Sequence, residues 1–375
     1  MDGVRFMNVL IAADYATPAS GNFIASCVEL GRYLKNKGDN LFFIFPENAN
    51  TLSEGSWVKW LEREGFVVEL TTKDKTESQK LDFLKSFIKK YNIDILHIHF
   101  GFFHHTVNSF AGELGVKILV HDHMDFSVEG SVFKQKIRCG LTSLIYRKNK
   151  ITVVSVNPQK DSSYVFARHK YVPNGLSLLR NVSVSASRDE CRAEIGITPD
   201  EKLCLFLGWD IYRKGLDIAV RAVNELRKDN PKILLGVVGM GSLPSSDSLK
   251  IISERTGIDP NSDWIRYLPS REDMFAYHRA ADAYLSASRK EAFSYGILEA
   301  ISQNVPVAVS DIKGTSWCHD YDKVVIYSTE NHKDCADAIN NAIALGNSPS
   351  NYRKIVDEYS VGIWCERIYK IYQEL

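Results

Sequence analysis

Short apolar runs alternate with longer amphipathic segments from the first residues of the chain almost to its end. Asn8–Ala13 predicts a buried strand, Asn22–Lys37 predicts a helix, and Leu41–Phe45 predicts the next strand. Strands that alternate with helices form parallel sheets that are covered by helices on both faces and connected by right-handed crossovers. The alternation therefore predicts the α/β fold class.

The alternation occurs in two successive stretches. The first contains further predicted strands at Phe66–Leu70, Ile93–His99, Lys117–His121 and Ile151–Val156, and helices at Ser56–Glu64, Leu81–Tyr91, Thr106–Leu114 and Val132–Lys148. The second contains predicted strands near 203–207, 233–238, 264–267, 283–286, 305–309 and 323–326, and helices near 214–228, 248–256, 271–280, 296–303 and 333–345. Between them, Val172–Ser177 and the serine-rich segment Asn181–Glu190 predict a linker region.

Two stretches of similar size predict two doubly wound, Rossmann-like domains facing a cleft. We expect an N-terminal domain over residues 1–176 and a C-terminal domain over residues 177–355. Residues 356–375 contain a last helix, Val361–Glu374, with no strand after it, and we expect this helix to pack back on the N-terminal domain. Ligands of such sheets bind at the carboxyl ends of the strands.

The composition excludes several other classes of protein. The 375 residues include 46 basic and 46 acidic side chains, so the formal net charge is zero. With no long basic tract, we expect no nucleic-acid partner. The seven cysteines are scattered and never in Cys-x-x-Cys spacing, which fits a reducing compartment better than a disulfide framework. Because the sequence has no secretory signal and no run of ~18 apolar residues, it predicts a cytoplasmic protein.

One predicted helix carries a local excess of positive charge. The segment Ser131–Lys150 contains six basic residues and no acidic residue. A helix that packs on the core and turns a hydrated basic face outward would explain this pattern. The alternative is peripheral contact of residues 132–150 with anionic lipid, at the inner face of the cytoplasmic membrane, or with a lipid-linked acceptor.

The segment from Ser286 to Ile301 holds two glutamates with seven residues between them. Glu291 is predicted in the loop after a strand, and Glu299 inside the helix that follows. The free N–H groups and the positive dipole end of such a helix make a phosphate site. Upstream, Arg213 and Lys214 stand at the start of another predicted helix. Since cations are disfavoured at a helix start, a bound anion explains this basic pair better than an exposed turn does.

These segments resemble the donor-binding motif of GT-B glycosyltransferases of family 4, which are retaining enzymes that use nucleotide sugars. The pattern Glu291-x7-Glu299, with Phe293 between the glutamates, is similar to the family's glutamate pair. Further segments are similar to family motifs in the same order along the chain: Ser20–Asn22, Val172–Gly175, Phe206–Gly215 and Val305–Ala308. Ala292 and Ser294 stand where many members have glycine. The resemblance implies a GT-B architecture for the whole chain.

The resemblance also implies a role for each matched position. Glu291 would bind hydroxyls of the donor hexose, Glu299 the nucleotide ribose, and the pair Arg213 and Lys214 the diphosphate. The remaining donor-binding positions are Gly21, Gly208, Phe293, Ser294, Tyr295, Gly296, Ile297 and Leu298, with the base near Tyr267, Leu268 and Pro269. His121 would contact the donor sugar near its anomeric carbon. The acceptor contacts would be His99, His123 and Asp125.

Six histidines fall between His97 and His123, and they admit two interpretations. The pairs His97–His99 and His121–His123 each end a predicted strand, so they predict either a metal site, as in a metal-dependent hydrolase, or histidines that line a binding site. The nearby carboxylates are only Asp122 and Asp125. Because an arginine–lysine pair and a helix start supply positive potential without an ion, we expect no metal and no cofactor.

The expected function is the transfer of a hexose-type sugar, with retention, from a nucleotide diphosphate sugar to a hydroxyl group. A UDP-sugar is the expected donor, and a glycan or lipid-linked molecule the expected acceptor, in cell-surface polysaccharide biosynthesis. The alternatives are a GT-B nucleotide-sugar epimerase or phosphorylase, a hydrolase that uses the histidines with a metal, and a non-catalytic subunit that binds nucleotide sugar. The sequence leaves open the nucleotide base, the sugar, the acceptor and its linkage, the oligomeric state and any general base.

Overall fold

A computed structural model describes residues 6–17, 19–49, 56–101, 103–123, 132–157, 165–181, 185–347 and 357–375. It divides into two compact units. The first comprises Met1–Ser177 together with Val361–Leu375, and the second comprises Leu178–Ser360. Each unit is built on a parallel sheet of its own.

The first unit contains a seven-stranded sheet. Its strands are β1 Asn8–Ala13, β2 Asn40–Pro46, β3 Val67–Thr71, β4 Ile95–His99, β5 Lys117–Asp122, β6 Thr152–Ser155 and β7 Arg168–Tyr171. They pair in the order β3-β2-β1-β4-β5-β6-β7, all parallel. The helices between them are α1 Gly21–Asn36, α2 Trp57–Arg63, α3 Glu77–Tyr91, α4 His104–Leu114 and α5 Val132–Lys148. The strand order reverses between β1 and β4, and both of these central strands are buried almost throughout.

The second unit contains a six-stranded sheet. Its strands are β8 Lys202–Leu207, β9 Ile233–Val238, β10 Ile265–Leu268, β11 Ala283–Ser286, β12 Val307–Ser310 and β13 Val324–Tyr327. They pair in the order β10-β9-β8-β11-β12-β13, so the order reverses between β8 and β11. The helices are α6 Arg188–Glu194, α7 Leu216–Leu226, α8 Ser246–Thr256, α9 Met274–Ala280, α10 Tyr295–Ser302 and α11 His332–Leu345. Two doubly wound parallel sheets confirm the predicted α/β class.

The last helix, α12 Val361–Glu374, belongs to the first unit. The amide of Val361 donates to the carbonyl of Leu176 at 3.1 Å, which fixes the start of the helix. The helix packs on α1, where the rings of Tyr33 and Tyr369 lie 5.6 Å apart. A chain that leaves the first unit at Ser177 therefore returns to it at Val361.

The structure differs from the sequence-based prediction mainly where polar residues form regular elements. Part of the predicted linker, Asn181–Glu190, begins α6, because Ser187 and Glu190 form a capping box that satisfies the first amides of the helix. A second capping box at Thr76 and Gln79 starts α3 four residues before the predicted start at Leu81. The edge strand β7 is polar, so no apolar run marked it.

No helix among the described residues combines the length and the apolar character that a bilayer crossing requires. The side chains of six of the seven cysteines are described, and these six are buried free thiols: Cys27, Cys191, Cys204, Cys318, Cys335 and Cys365. Buried free thiols act here as small apolar packing residues.

Candidate active site

Four loops of the second unit follow the carboxyl ends of neighbouring parallel strands. They begin at Gly208 after β8, Gly239 after β9, Pro269 after β10 and Ala287 after β11. In a parallel sheet these ends lie at one edge, and the point where the strand order reverses is the usual ligand site. Lys214 lies in the loop after β8 and Glu291 in the loop after β11, which are the two strands at the reversal.

Lys214 and Glu291, 77 positions apart in the chain, form a direct ion pair. The ammonium Nζ of Lys214 donates to Oε2 of Glu291, and the hydroxyl of Ser288 donates to the same oxygen at 3.3 Å. Both charged side chains are largely but not fully covered, so a ligand can still reach them. The structure thus brings together two of the residues that the sequence singled out.

Glycines allow the loops that carry this pair to approach each other closely. Gly215 has a φ of +74°, and a Cβ atom there would lie 2.0 Å from the carbonyl oxygen of Ala287. A Cβ atom on Gly314 would lie 1.6 Å from the carbonyl oxygen of Glu291. Since real Cβ atoms do not approach so closely, a side chain at Gly215 would push the two loops apart, and one at Gly314, in the turn after β12, would displace the Glu291 loop.

Arg289 fastens the same two loops together, and sequence reasoning did not identify it. Its amide donates to the carbonyl of Arg213 at 2.8 Å. Its guanidinium binds Asp217 with two parallel bonds of 2.8 and 3.0 Å and also binds Glu330 at 2.8 Å. Bidentate pairing of this kind fixes orientation as well as charge. Arg289 is therefore a structural clamp that positions the backbone beside Lys214 and Glu291.

Arg213 takes a different place from its neighbour Lys214. Its Nε lies 3.2 Å from Oδ2 of Asp210, and Oδ1 of the same carboxylate accepts from the Arg213 amide at 2.9 Å. The side chain is 40% exposed. Asp210 therefore closes the turn before α7 and partly neutralises Arg213, which leaves Lys214 as the cation that faces Glu291.

The start of α10 is fixed by packing and by its cap. The hydroxyl of Ser294 accepts from the amide of Ile297 at 3.4 Å. Gly296 approaches β11 so closely that a Cβ atom would lie 2.2 Å from the hydroxyl oxygen of Tyr284. The ring of Phe293 stacks on Trp317, with ring centroids 4.5 Å apart. The amide-bearing turn Ser294–Leu298 thus follows the Glu291 loop at a defined position.

Glu299 lies inside the unit and is only 5% exposed. Its carboxylate oxygens lie 3.6 Å from Nη1 of Arg180 and 3.4 Å from Nε2 of His278. Arg180 is equally buried, so the pair removes two charges from water together. These partners hold the Glu299 side chain in one orientation, one turn after the start of α10.

The predicted base-binding positions lie at the end of β10. The hydroxyl of Tyr267 donates to the carbonyl of Pro260 at 3.1 Å, and the carbonyl of Pro269 accepts from Tyr277 at 2.8 Å. Beside them lies a loop that the sequence analysis missed, Gly239–Gly241. Gly239 has a φ of +112°, and a Cβ atom there would lie 3.0 Å from the carbonyl carbon of Gly208. The Gly-x-Gly spacing directly after a strand is the signal that would have found it.

In the first unit, Gly21 is the first residue of α1. Its φ is +57°, and a Cβ atom there would lie 2.4 Å from the hydroxyl oxygen of Tyr15. Asn22 accepts from the amide of Ser177 at 3.1 Å, and Ser26 donates to the carbonyl of Gly175 at 3.3 Å. These bonds attach the segment that leaves the first unit to the start of α1.

Four imidazoles pack together at the carboxyl ends of β4 and β5, and we call them the histidine cluster: His97, His99, His121 and His123. Nε2 of His97 lies 3.2 Å from Nδ1 of His121, and Nδ1 of His99 lies 2.7 Å from Nε2 of His123. The third predicted acceptor position, Asp125, lies outside the described residues.

Burial keeps the histidine cluster neutral. It lowers the pKa of His97 and that of His123 to about 3. It lowers the pKa values of His99 and His121 well below 6.5, and for these two the neighbouring imidazoles add to the shift. Removing an imidazole from water disfavours its charged form, so all four rings are uncharged at pH 7.

Three of these histidines have the spacing of a metal site. One ring nitrogen each of His97, His99 and His121 lies within 4.8 Å of the others.

Elsewhere the sequence contains an Asp-x-Asp triplet, Asp320–Asp322, a pattern that holds divalent ions on nucleotide sugars in other enzymes. It precedes β13, at the amino edge of its sheet, and both carboxylates are exposed. It therefore lies opposite the edge that carries Lys214 and Glu291.

Comparisons with known proteins agree with this geometry. Residues 187–359 match the sequence profile of the family Glycosyl transferases group 1. The match spans almost the whole of the second unit. D-inositol 3-phosphate glycosyltransferase of Nocardia farcinica is 32% identical over 152 residues, which cover 39% of this chain and 33% of the relative. The chain thus spans about a third of the length of that relative.

Solved structures resemble the whole chain. A glycosyltransferase from Rickettsia africae superimposes with a TM-score of 0.76 and 16% identity, over 99% of this chain and 98% of that one. Anabaena HepE in complex with UDP and glucose gives a TM-score of 0.79 and 14% identity, over 98% of this chain and all of the other. At such identities the likeness shows the fold alone, and the fold is GT-B, as the family resemblance of the sequence implies.

Proposed function

We propose that this protein is a retaining glycosyltransferase that moves a hexose-type sugar from a UDP-sugar to a hydroxyl of a glycan or lipid-linked acceptor. The observation that carries the proposal is the Lys214–Glu291 pair at the strand-order reversal of a glycosyl transferase group 1 domain. The likeness to HepE, whose structure contains UDP and glucose, supports the choice of donor. We further propose a role in cell-surface polysaccharide biosynthesis.

The Lys214–Glu291 ion pair explains how the site would exchange its internal contacts for contacts with a donor. The diphosphate of the donor competes with the Glu291 carboxylate for the ammonium of Lys214, and it binds this ammonium. The released carboxylate of Glu291 then accepts hydrogen bonds from hydroxyls of the hexose. Binding thus replaces one internal ion pair with two ligand contacts, and neither charge is left buried without a partner.

The transfer breaks the bond between the anomeric carbon and a phosphate oxygen, and it forms a bond from that carbon to the acceptor oxygen on the same face. The acceptor proton passes to the released phosphate oxygen. Negative charge grows on the diphosphate during this step, so Lys214, Arg213 and the start of α10 stabilise the transition state more than the ground state. We propose that no metal and no cofactor take part.

The other matched positions complete the proposed donor site. Glu299 binds the ribose, and Tyr267, Leu268 and Pro269 lie against the base. The backbone of Gly21, Gly208, Phe293, Ser294, Tyr295, Gly296, Ile297 and Leu298 borders the phosphates and the sugar. In the first unit, His121 binds the donor sugar, and His99 and His123, with Asp125, bind the acceptor.

We also propose that α5 rests on the anionic inner face of the cytoplasmic membrane. Ile137, Leu141 and Leu144 are 49%, 59% and 47% exposed, and their spacing puts them on one face of the helix. Val165 and Phe166 are also exposed, and the Phe166 amide donates to the hydroxyl of Ser143 on α5 at 2.8 Å. Arg147, Lys148 and Lys150 are exposed at the end of the helix. An apolar stripe with a basic border is the pattern of an interfacial helix.

A direct test incubates the protein with UDP-, GDP- and ADP-hexoses and a panel of hydroxyl acceptors, and follows product by mass spectrometry and NMR. We expect a glycoside from a UDP-hexose, with the anomeric configuration of the donor. Turnover of the nucleotide sugar without an acceptor would instead identify an epimerase, and an inverted product would contradict retention. Failure to bind every nucleotide sugar would overturn the whole proposal.

The spacing of His97, His99 and His121 favours one other candidate, a metal-dependent hydrolase. Its test is elemental analysis of the tag-free protein. A stoichiometric transition metal that is lost with His97→Ala, together with hydrolysis that depends on it, would replace the transferase proposal. We expect no bound metal.

A further inference from the structure

The last helix of the chain reaches the histidine cluster through one hydroxyl group. Tyr372 on α12 is buried, and its Oη lies 2.7 Å from Nδ1 of His97. On the other side of the same ring, Nε2 of His97 lies 3.2 Å from Nδ1 of His121. Three side chains from α12, β4 and β5 thus form one continuous chain of hydrogen bonds.

The direction of these bonds follows from counting protons. A neutral imidazole has one N–H donor and one acceptor nitrogen. Among the described residues, the Tyr372 hydroxyl has a hydrogen-bond partner in His97 alone. The phenol proton therefore has an acceptor only if it points at Nδ1 of His97. Nδ1 then accepts, and the proton of His97 resides on Nε2. Leaving the phenol proton buried without an acceptor would cost more than leaving a lone pair unused.

The same count continues to His121. Because Nε2 of His97 donates, Nδ1 of His121 accepts, and the single proton of His121 must reside on its Nε2. Within the described ranges this Nε2 is buried and has no hydrogen-bond partner. A buried donor without a partner is rare in native proteins and calls for a ligand atom that accepts from it.

We propose that Tyr372 and His97 are positioning residues that fix the tautomer of His121, so that its Nε2–H is held as a hydrogen-bond donor for an oxygen of the bound substrate. The ligand class is a carbohydrate hydroxyl or ring oxygen, and this choice rests on the proposed sugar transfer. The tautomer itself follows from the contacts alone. We call the hydrogen-bonded series Tyr372–His97–His121 the relay. It gives α12 a chemical role in addition to its packing on α1.

The histidine cluster contains its own control. His99 and His123 form a second pair, with nitrogens 2.7 Å apart, that the hydroxyl of Tyr372 does not contact. A change in the hydroxyl should therefore alter His97 and His121 and leave His99 and His123 unchanged. General loosening of the unit would alter all four.

The decisive experiment records long-range 1H–15N correlation spectra of protein labelled with 15N in histidine only, at pH 7. We expect His121 to be protonated on Nε2 and His97 on Nε2. Tyr372→Phe keeps the ring and removes the hydroxyl, and it should shift the signals of His97 and His121 but not those of His99 and His123. Tyr369→Phe, on the same helix, is the matched control and should shift none of the four.

Three results would overturn the proposal: a proton on Nδ1 of His121, unchanged spectra in Tyr372→Phe, or a metal bound at His121. A metal bound at His121 would contradict the proposal because a metal ligand needs a free lone pair. In the relay, Nε2 of His121 carries the proton, and the lone pair of its Nδ1 accepts from His97. In a transfer assay, Tyr372→Phe should lower kcat/KM about tenfold, the size of one lost hydrogen bond to substrate. Since the spectra need no substrate, they test the relay even if the protein proves not to be a transferase.

Discussion

In the first unit the strand order reverses between β1 and β4, and in the second between β8 and β11. The two units place opposite kinds of chemistry near these equivalent points. The second has charged groups there, with Lys214 paired to Glu291. The first has the histidine cluster, whose low pKa values keep its rings neutral. A charged pair can bind an anion such as a diphosphate, whereas neutral imidazoles offer hydrogen bonds to uncharged hydroxyl groups.

Lys214→Met gives the largest expected effect, because it removes the ammonium that we assign to the diphosphate. Loss of one such transition-state contact lowers kcat by about 10²–10³-fold. The matched control is Lys232→Met, which removes a lysine of the same unit that pairs with Asp200 on the surface. Steady-state kinetics should show full activity for the control. Equal activity of both variants would contradict the assignment of Lys214 to the diphosphate.

Gly314→Ala tests how rigidly the charged site is held. The added methyl would lie 1.6 Å from the carbonyl oxygen of Glu291, so the loop must move. Overpacking of this kind lowers the free energy of unfolding by about 1–3 kcal/mol. Gly362→Ala on α12 meets nothing within 4 Å and should raise it by about 0.5–1 kcal/mol, because alanine favours helix. Urea unfolding measures both, and a harmless Gly314→Ala would show that the Glu291 loop is not fixed by this approach.

Acid should lower the free energy of unfolding of the first unit, because this unit contains the neutral histidine cluster. The pKa of His97 and that of His123 are about 3 in the folded protein, against 6.5 for an exposed histidine. Below pH 6.5 the unfolded chain therefore binds more protons, and stability falls as pH falls toward 3. The expected slope is about 1.4 kcal/mol per pH unit for each histidine that stays neutral.

Hydrogen exchange of the β4 and β5 amides at pH 7.0 and 5.5 measures this slope within the first unit. His123→Gln should reduce the slope, whereas Gly362→Ala, which changes no titratable group, should leave it unchanged. A slope that is the same in all three proteins would mean that the cluster takes up protons in the folded state.

The smallest expected effect concerns membrane binding, which we assign to the surface of the first unit and not to that of the second. Leu141→Glu puts a charge into the exposed stripe of α5 and should weaken sedimentation with phosphatidylglycerol vesicles about tenfold. Leu243→Glu changes a leucine of the second unit that is 91% exposed and should have no effect. Equal sedimentation of both variants would mean that the stripe does not contact the bilayer.

The sequence predicted the fold well because periodicity is a local property. Strand β9 and helices α5 and α12 have the bounds that their apolar patterns predict. Helix α6 was missed because its pattern is polar, although the capping box at Ser187 marks its start. Glu291 lies in the loop after a strand and Glu299 in the helix that follows, as the local pattern predicted.

The sequence could not predict which residues complete the sites. Arg289, Arg180 and His278 are fixed by contacts with residues far away in the chain, and such contacts leave no local pattern. The pairing of Arg213 with Asp210 is local, but it depends on a turn geometry that the sequence does not specify. The partners of Glu299 and the tautomers of the histidines therefore required coordinates.

Calorimetric titration with UDP tests the central claim most directly, because it asks whether the Lys214–Glu291 site holds the diphosphate. Lys214→Met should bind UDP at least about tenfold more weakly than the unmodified protein. Glu291→Gln should bind UDP as tightly or more tightly, since it frees Lys214, while it binds the UDP-sugar more weakly. If Lys214→Met binds UDP as tightly as the unmodified protein, the diphosphate lies elsewhere and the account is wrong.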